Sequence, residues 1–208
     1  KGLGMDVDVL NEKGKSIMEL KGELVCKSTF PSKPIFFWND IKNKNFINAY
    51  FNKYKNIWHH GDYAERKKNG GYIIYGRSDA TLNPGGVRIG TSEIYQQVEN
   101  INFITEGLVV GQDYKDDVRI VLFVTTKDNE DLDDEKIQII KARIRKNCSP
   151  KHVPAIIIKA PAIPRTKSGK IVELAVRKLI NGEELNNKEA IANPESLDFF
   201  KNLSQLKI

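Results

Sequence analysis

Residues 163 to 180, IPRTKSGKIVELAVRKLI, set Arg165, Lys167 and Lys170 on a short stretch that opens into an amphipathic helix pattern. Cations beside a glycine invite an anion. A Walker loop is excluded, because that pattern needs Gly five residues before the second Gly and Ser or Thr after the Lys, and this chain has Pro164 and Ile171 there. Gly169 still allows a tight turn and a close backbone approach to a ligand. The helix start that follows favours negative charge by roughly 0.3 to 1 kcal/mol, with the three cations as mobile charge beside it. A solvated basic loop that simply caps a helix fits the same spacing.

A second stretch, GRSDATLNPGGVRIGTSEIYQQVE at 76 to 99, is rich in turn residues and separates two differently patterned halves. A hinge fits there, and so does an ordinary linker. Arg77 and Arg88 flank it, each offering a fork of donors suited to phosphate or a ribose diol. Thr91 is the expected N-cap of the next helix, with Glu93 in its first turn.

The elements that must position these residues fall into two groups. Residues 1 to 77 show short strand patterns, MDVDVL, GELVCKS and GYIIYG, with one helix-like stretch, IKNKNFINAYFNKY. Further on, TSEIYQQVEN suggests a helix, GLVVGQ and VRIVLFVTT strands, and DDEKIQIIKARIRKNC a helix whose Ile137, Ile140, Ile144 and Cys148 form an apolar stripe. AIIIKA suggests another buried strand, and two short helices are expected near the end. The fold class is α+β.

With 33 basic and 27 acidic residues among 208, the net charge is +6, and the charges are interspersed. Neither this balance nor the placement of aromatics calls for nucleic acid. Cys26 and Cys148 match no metal or redox spacing, which suits a reducing compartment, the cytoplasm. No run of about 18 apolar residues suggests a membrane span. The start, KGLGMDVDVL, has neither an initiator methionine nor a signal-peptide core, so the chain is expected to be cut at its N-terminus. His59 and His152 lack metal spacing and are expected to be ordinary polar positions; Trp38 and Trp58 are expected in a core or an interface.

HHGDYAE (59 to 65), GYIIYGRSDATLNPGGVRIGTSEI and PRTKSGK, in this order, resemble the acyl-adenylate-forming enzymes: acyl-CoA synthetases, peptide-synthetase adenylation domains and luciferases. The resemblance covers nearly the whole chain. Within that superfamily, LNPGGVRIGTSEIY, SPKHVPA and the tail KIVELAVRKLINGEELNNKEAIANPESLDFF look most like ligases that join a short-chain acid to coenzyme A. The resemblance implies two parts: residues 1 to 78 as the end of a large nucleotide-binding domain, and 79 to 208 as a small mobile lid. It gives Asp62 and Arg77 the ribose of ATP, although His60 stands where the family has Thr. Asp79 takes the hinge position and Arg88 a place near the nucleotide phosphate. Gly85 and Gly86 fall on the loop lining the pantetheine tunnel, where Val87 replaces the usual His. Arg145 matches an arginine that meets coenzyme A phosphate, and Lys170 matches the catalytic lysine.

The implied chemistry has two steps. A carboxylate attacks the α-phosphorus of ATP as pyrophosphate leaves, and a cation bridging the two anions stabilises the crowded transition state. Magnesium on the phosphates would share that work. Coenzyme A thiol then displaces AMP from the acyl-adenylate, and the lysine has no task there. The triphosphate loop and acid pocket are expected upstream, in a missing N-terminal domain, so the chain alone is expected to be inactive. A non-catalytic nucleotide- or partner-binding module is the other reading.

Overall fold

The computed structural model describes residues 1 to 185 and 189 to 207; Asn186, Asn187 and Lys188 of the tail motif lie outside the described residues. The chain forms two compact units, Lys1–Asp79 and Ala80–Ile208. Among the described residues, no helix is long and apolar enough to cross a membrane.

The first unit is a four-stranded antiparallel sheet, β1 (Val7–Leu10), β2 (Lys21–Cys26), β3 (Trp58–Arg66) and β4 (Tyr72–Arg77), in that spatial order. Its core includes Leu10, Val25 and Tyr54, beside an aromatic cluster in which Tyr50 stacks on Trp58 at 3.7 Å. Trp58 is thus a core residue, whereas Trp38 is exposed.

The helix expected over 41 to 54 is shorter. A 3-10 turn at Ile41–Asn43 is followed by helix α1 (Lys44–Tyr50). Lys42 and Asn43 adopt left-handed backbone angles, φ 60° and 54°, which no continuous helix of L-residues accommodates. The Asp40 carboxylate accepts the Asn45 and Phe46 amides at 2.9 and 2.8 Å, satisfying donors that an unbroken helix would have paired internally. The stretch HHGDYAE, which carries no clean alternation, lies within β3, an interior strand of the sheet.

In the second unit, β5 (Ile104–Tyr114) and β6 (Asp117–Thr126) form an antiparallel hairpin, and β7 (Ile156–Lys159) joins β6 in parallel. The parallel pairing requires a crossover. Helix α3 (Asp134–Asn147) supplies it, and Asp133 caps its start by accepting the Lys136 amide. Ile120, Leu122 and Val124 of β6 face a core shared with α2 (Thr91–Val98) and α3, through Ile94, Val98, Ile140 and Ile144. Val121 and Phe123 face the opposite core, with Val176 of α4 (Glu173–Ile180) and Phe200. Burial on both faces explains why VRIVLFVTT is nearly continuously apolar. Of the α3 stripe, Ile140 and Ile144 are buried, and Cys148 caps the helix end. The second of the closing helices is a 3-10 segment, Pro194–Phe200.

Candidate functional site

Sheet register assembles the first group of candidates. Asp62 on β3 is the cross-strand partner of Arg77 on β4. One guanidinium nitrogen lies 3.6 Å from the Asp62 carboxylate and donates to the His60 carbonyl at 3.3 Å. The rest of the fork donates to both Asp79 oxygens, at 3.3 and 3.2 Å. Burial works against the Arg77 charge, yet the hydrogen bonds to Asp79 and the nearby carboxylates raise its pKa above the ordinary value. Gly61, at φ +85°, lets the guanidinium lie close: a Cβ there would meet its nitrogens at 2.7 to 2.9 Å.

His60 binds Asp62 directly, Nδ1 to Oδ2 at 2.5 Å. That hydrogen bond raises the imidazole pKa. The Arg77 guanidinium, the Asp79 carboxylate and the His60 ring line the wall of an open cleft of about 780 Å³, together with Tyr50 and Lys53, and Asp62 adjoins it through its contacts with His60 and Arg77. A carboxylate that accepts and a guanidinium that donates suit a vicinal diol, as in ribose.

Behind this wall lies Glu23, 1% exposed, to which no motif in the sequence points. Its carboxylate takes Lys53 Nζ at 2.6 Å and His59 Nε2 at 3.0 Å, and also accepts from the Ser78 hydroxyl. His59 thus serves the internal network. A buried charge is tolerated only with such partners, and they lie 30 to 55 residues away in sequence. His152, in the second unit, pairs with the Ser149 hydroxyl at 2.8 Å. Among the described residues, no group of three metal-ligating side chains is present.

In the second unit, residues 82 to 89 close into a hairpin through reciprocal Leu82 and Ile89 backbone bonds of 2.9 Å. Both side chains are buried, so this part of the turn-rich stretch is anchored in the unit's core. At its tip, the Gly85 amide donates to both oxygens of Asp117 (2.8 and 3.0 Å), and Gly86 has φ +76° with no atom within 4 Å of the point a Cβ would occupy. Arg88 donates to the Thr81 hydroxyl at 3.2 Å. Thr91, expected as an N-cap, is instead the first helical residue of α2. Gly90 precedes it in extended conformation, and Glu93 reaches back to accept the Gly90 amide at 2.9 Å, leaving Thr91 no capping task.

The lysine stretch does not run straight into its helix. Arg165 and Ile171 pair as an antiparallel bridge, the Thr166 amide donates to the Lys170 carbonyl at 2.8 Å, and Gly169 turns at φ +82°. Lys170 therefore sits at the base of a small hairpin, three residues ahead of α4. Its side chain is exposed and, among the described residues, has no hydrogen-bond or ion-pair partner. The same holds for the Arg145 side chain, exposed on α3. Arg165 is not the mobile charge expected of it. Its guanidinium holds Glu106 at 2.7 Å and the Gly169 carbonyl at 2.6 Å. The structure thus joins Asp62, Arg77 and Asp79 in one unit, and Gly85, Gly86 and Arg88 on one hairpin of the other; among the described residues of that second unit, no side-chain bond links Arg145 or Lys170 to the hairpin.

No family model matches the chain. An "Acetoacetyl-coenzyme A synthetase" of Rhizobium meliloti is 56% identical over 206 residues, 99% of this chain and 32% of that protein. An "Acetoacetyl-CoA synthetase" of Xenopus tropicalis is 44% identical over 207 residues, 99% of this chain and 31% of that protein. The solved acetoacetyl-CoA synthetase from Streptomyces lividans superposes with a TM-score of 0.91 at 38% identity, covering 98% of this chain and 31% of that one. The chain spans about a third of the length of the curated relatives it matches. Over nearly its whole length it is homologous to acetoacetyl-CoA synthetases.

Proposed function

We propose that this chain is the nucleotide- and thiol-handling third of an acid–thiol ligase that joins acetoacetate to coenzyme A through an acyl-adenylate. The observation that carries this reading is the cross-strand Asp62–Arg77 pair in a chain homologous along its length to acetoacetyl-CoA synthetases. The acid pocket and the remaining phosphate contacts would come from the other two thirds of the full protein. Cys26 and Cys148, neither of them in a disulfide, fit a cytoplasmic setting.

In the first step an acetoacetate oxygen bonds to the α-phosphorus of ATP as the bond to pyrophosphate breaks. Asp62 accepts from the ribose hydroxyls and Arg77 donates to them, fixing the nucleotide. An unpaired ammonium at the base of a tight hairpin is suited to approach the anionic transition state, and Lys170 is that group. Magnesium would arrive on the triphosphate and neutralise part of its charge. In the second step the coenzyme A sulfur bonds to the acyl carbon and AMP leaves, with the pantetheine arm passing Gly85 and Gly86, and Arg145 meeting a coenzyme A phosphate. Arg88 would lie toward the nucleotide phosphate, and a turn at Asp79 would exchange the two arrangements of the lid.

The test is Lys170→Ala in the full-length protein. Acetoacetyl-adenylate formation should fall about 10²- to 10³-fold, the loss seen when one well-placed electrostatic contact is removed. Thioester formation from supplied acetoacetyl-AMP should survive. Equal loss in both steps would contradict the assignment.

A further inference from the structure

Lys170 can act only if the hairpin carrying it holds still, and the hairpin is too short to do so by itself. Thr166 and Gly169 supply two internal backbone bonds, Thr166 N–H to Lys170 O and Gly169 N–H to Thr166 O, both 2.8 Å. A third segment lies alongside. The Lys167 amide donates to the Ala190 carbonyl at 3.0 Å, the Ala192 amide donates to the Arg165 carbonyl at 2.8 Å, and Thr166 and Ile191 pair as an antiparallel bridge.

Asn193 completes this contact with its side chain. Its Oδ1 accepts the Arg165 amide at 2.9 Å, and its Nδ2 donates to the Ile163 carbonyl at 3.0 Å. Only one orientation of the amide satisfies both, so the side chain is held as well as holding. Asn193 is itself fixed from behind: its carbonyl accepts from the Ser196 hydroxyl at 2.6 Å and the Ser196 amide at 3.1 Å. Ser196, Leu197 and Phe200 beyond it are buried. The anchor is thus the hydrophobic core of the unit, reached through the Pro194–Phe200 segment.

We propose that residues 190 to 193 form a strap fixing the Lys170 hairpin, and that Asn193 is a positioning residue for adenylate formation. The inference rests on the functional reading above. Asn193 touches no reacting atom; it sets the backbone at Ile163 and Arg165, from which the turn projects. Arg165 extends the brace to the tip through the Gly169 carbonyl. A displacement of about 1 Å at a reacting group costs on the order of 10²-fold in rate. Losing the strap should therefore matter to the step that uses Lys170 and to no other.

The experiment uses the full-length protein and compares Asn193→Ala, Asn193→Asp and Lys170→Ala. For Asn193→Ala the kcat of adenylate formation should fall about 10- to 100-fold, with KM for ATP little changed and thioester formation from supplied acetoacetyl-AMP intact. Asn193→Asp keeps the acceptor for the Arg165 amide but loses the donor to the Ile163 carbonyl, and should fall between wild type and the alanine variant. Hydrogen exchange should accelerate in the 163 to 171 segment and stay unchanged in α4. The proposal fails if Asn193→Ala makes adenylate at the wild-type rate while Lys170→Ala does not. It fails equally if both half-reactions and exchange throughout the unit decline together, the pattern of a general folding defect; should the alanine variant not fold, the same criteria apply to Asn193→Asp. If Lys170→Ala itself forms adenylate normally, the functional reading falls first and the strap's catalytic role with it.

Discussion

Replacing Gly86 by Ala and by Leu separates what the glycine does for the fold from what it does for a ligand. Gly86 has φ +76°, so any L-residue there bears the left-handed backbone penalty, about 1 to 2 kcal/mol. No packing cost is added at the first carbon, because an added Cβ meets no atom within 4 Å. Against a typical stability of about 5 to 15 kcal/mol, either variant should fold. Denaturant unfolding of the full-length protein should show the same loss for both, since the backbone cost is shared. If the tip of the 82–89 hairpin lines the path of the pantetheine arm, the leucine variant must do more. Its side chain would enter the space a thiol chain needs, and thioester formation from supplied acyl-AMP should drop on the order of 10-fold or more below that of the alanine variant, a barrier increase of about 1.4 kcal/mol. Adenylate formation should be alike in the two. Gly85→Ala provides a contrast, because its methyl would meet Lys151 Nζ at 2.6 Å, the end of an exposed chain that can move aside. Should Gly86→Leu form thioester as fast as Gly86→Ala, or lose both steps in parallel, the tunnel assignment of this turn is wrong.

Two further outcomes depend on pH. Asp8 is 1% exposed and takes Lys27 at 3.0 Å and Arg66 at 2.9 Å; burial opposes its charge, but the Lys27, Val9 and Ser16 hydrogen bonds and the Arg66 charge bring its pKa below the ordinary 3.8. A lowered carboxylate stabilises the fold above 3.8, and that gain is lost as pH falls through the lower folded value. Asp8→Asn should cost about 1 to 3 kcal/mol at pH 7 by urea unfolding, and its gap from wild type should close below 3.8; a gap that persists in strong acid would mean that packing alone matters. The raised pKa of His60 has the opposite sign: its bond to Asp62 stabilises most fully below about 6.5 and is lost as pH climbs through the higher folded value. If a ribose diol binds Asp62, it must compete with the imidazolium for that carboxylate, so AMP affinity of the full-length protein, measured by calorimetry, should rise with pH above 6.5, and His60→Ala should flatten the profile. An equally steep profile in the variant would remove the competition.

What could be seen in the sequence follows from how far each residue lies from its partners. VRIVLFVTT and the Ile140–Ile144 stripe announce their elements because a double-sided core demands apolar residues at every position or on one helix face. β3 is hidden for the converse reason. His59 turns to a buried Glu23 and His60 to Asp62, so polar residues occupy positions that alternation would give to the core, and only the strands on either side keep the segment extended. The break at Lys42 and Asn43 escapes a periodicity argument because the Asp40 side chain, a local competitor for backbone amides, decides it. The same distinction governs the site. Gly169 and its neighbouring cations are adjacent in sequence, so a turn bearing positive charge is evident there. Its rigidity is not, for the groups that confer it are Glu106, 59 residues before Arg165, and Asn193, 28 residues after it. A motif considered by itself makes Arg165 a mobile charge; the folded chain makes it a brace. Among the described residues the Lys170 side chain has no hydrogen-bond or ion-pair partner, while the backbone beneath it is held; if Lys170 is the electrostatic catalyst proposed above, that held base limits how far its charge must be reoriented as negative charge develops, and reorientation would consume part of the stabilisation it offers.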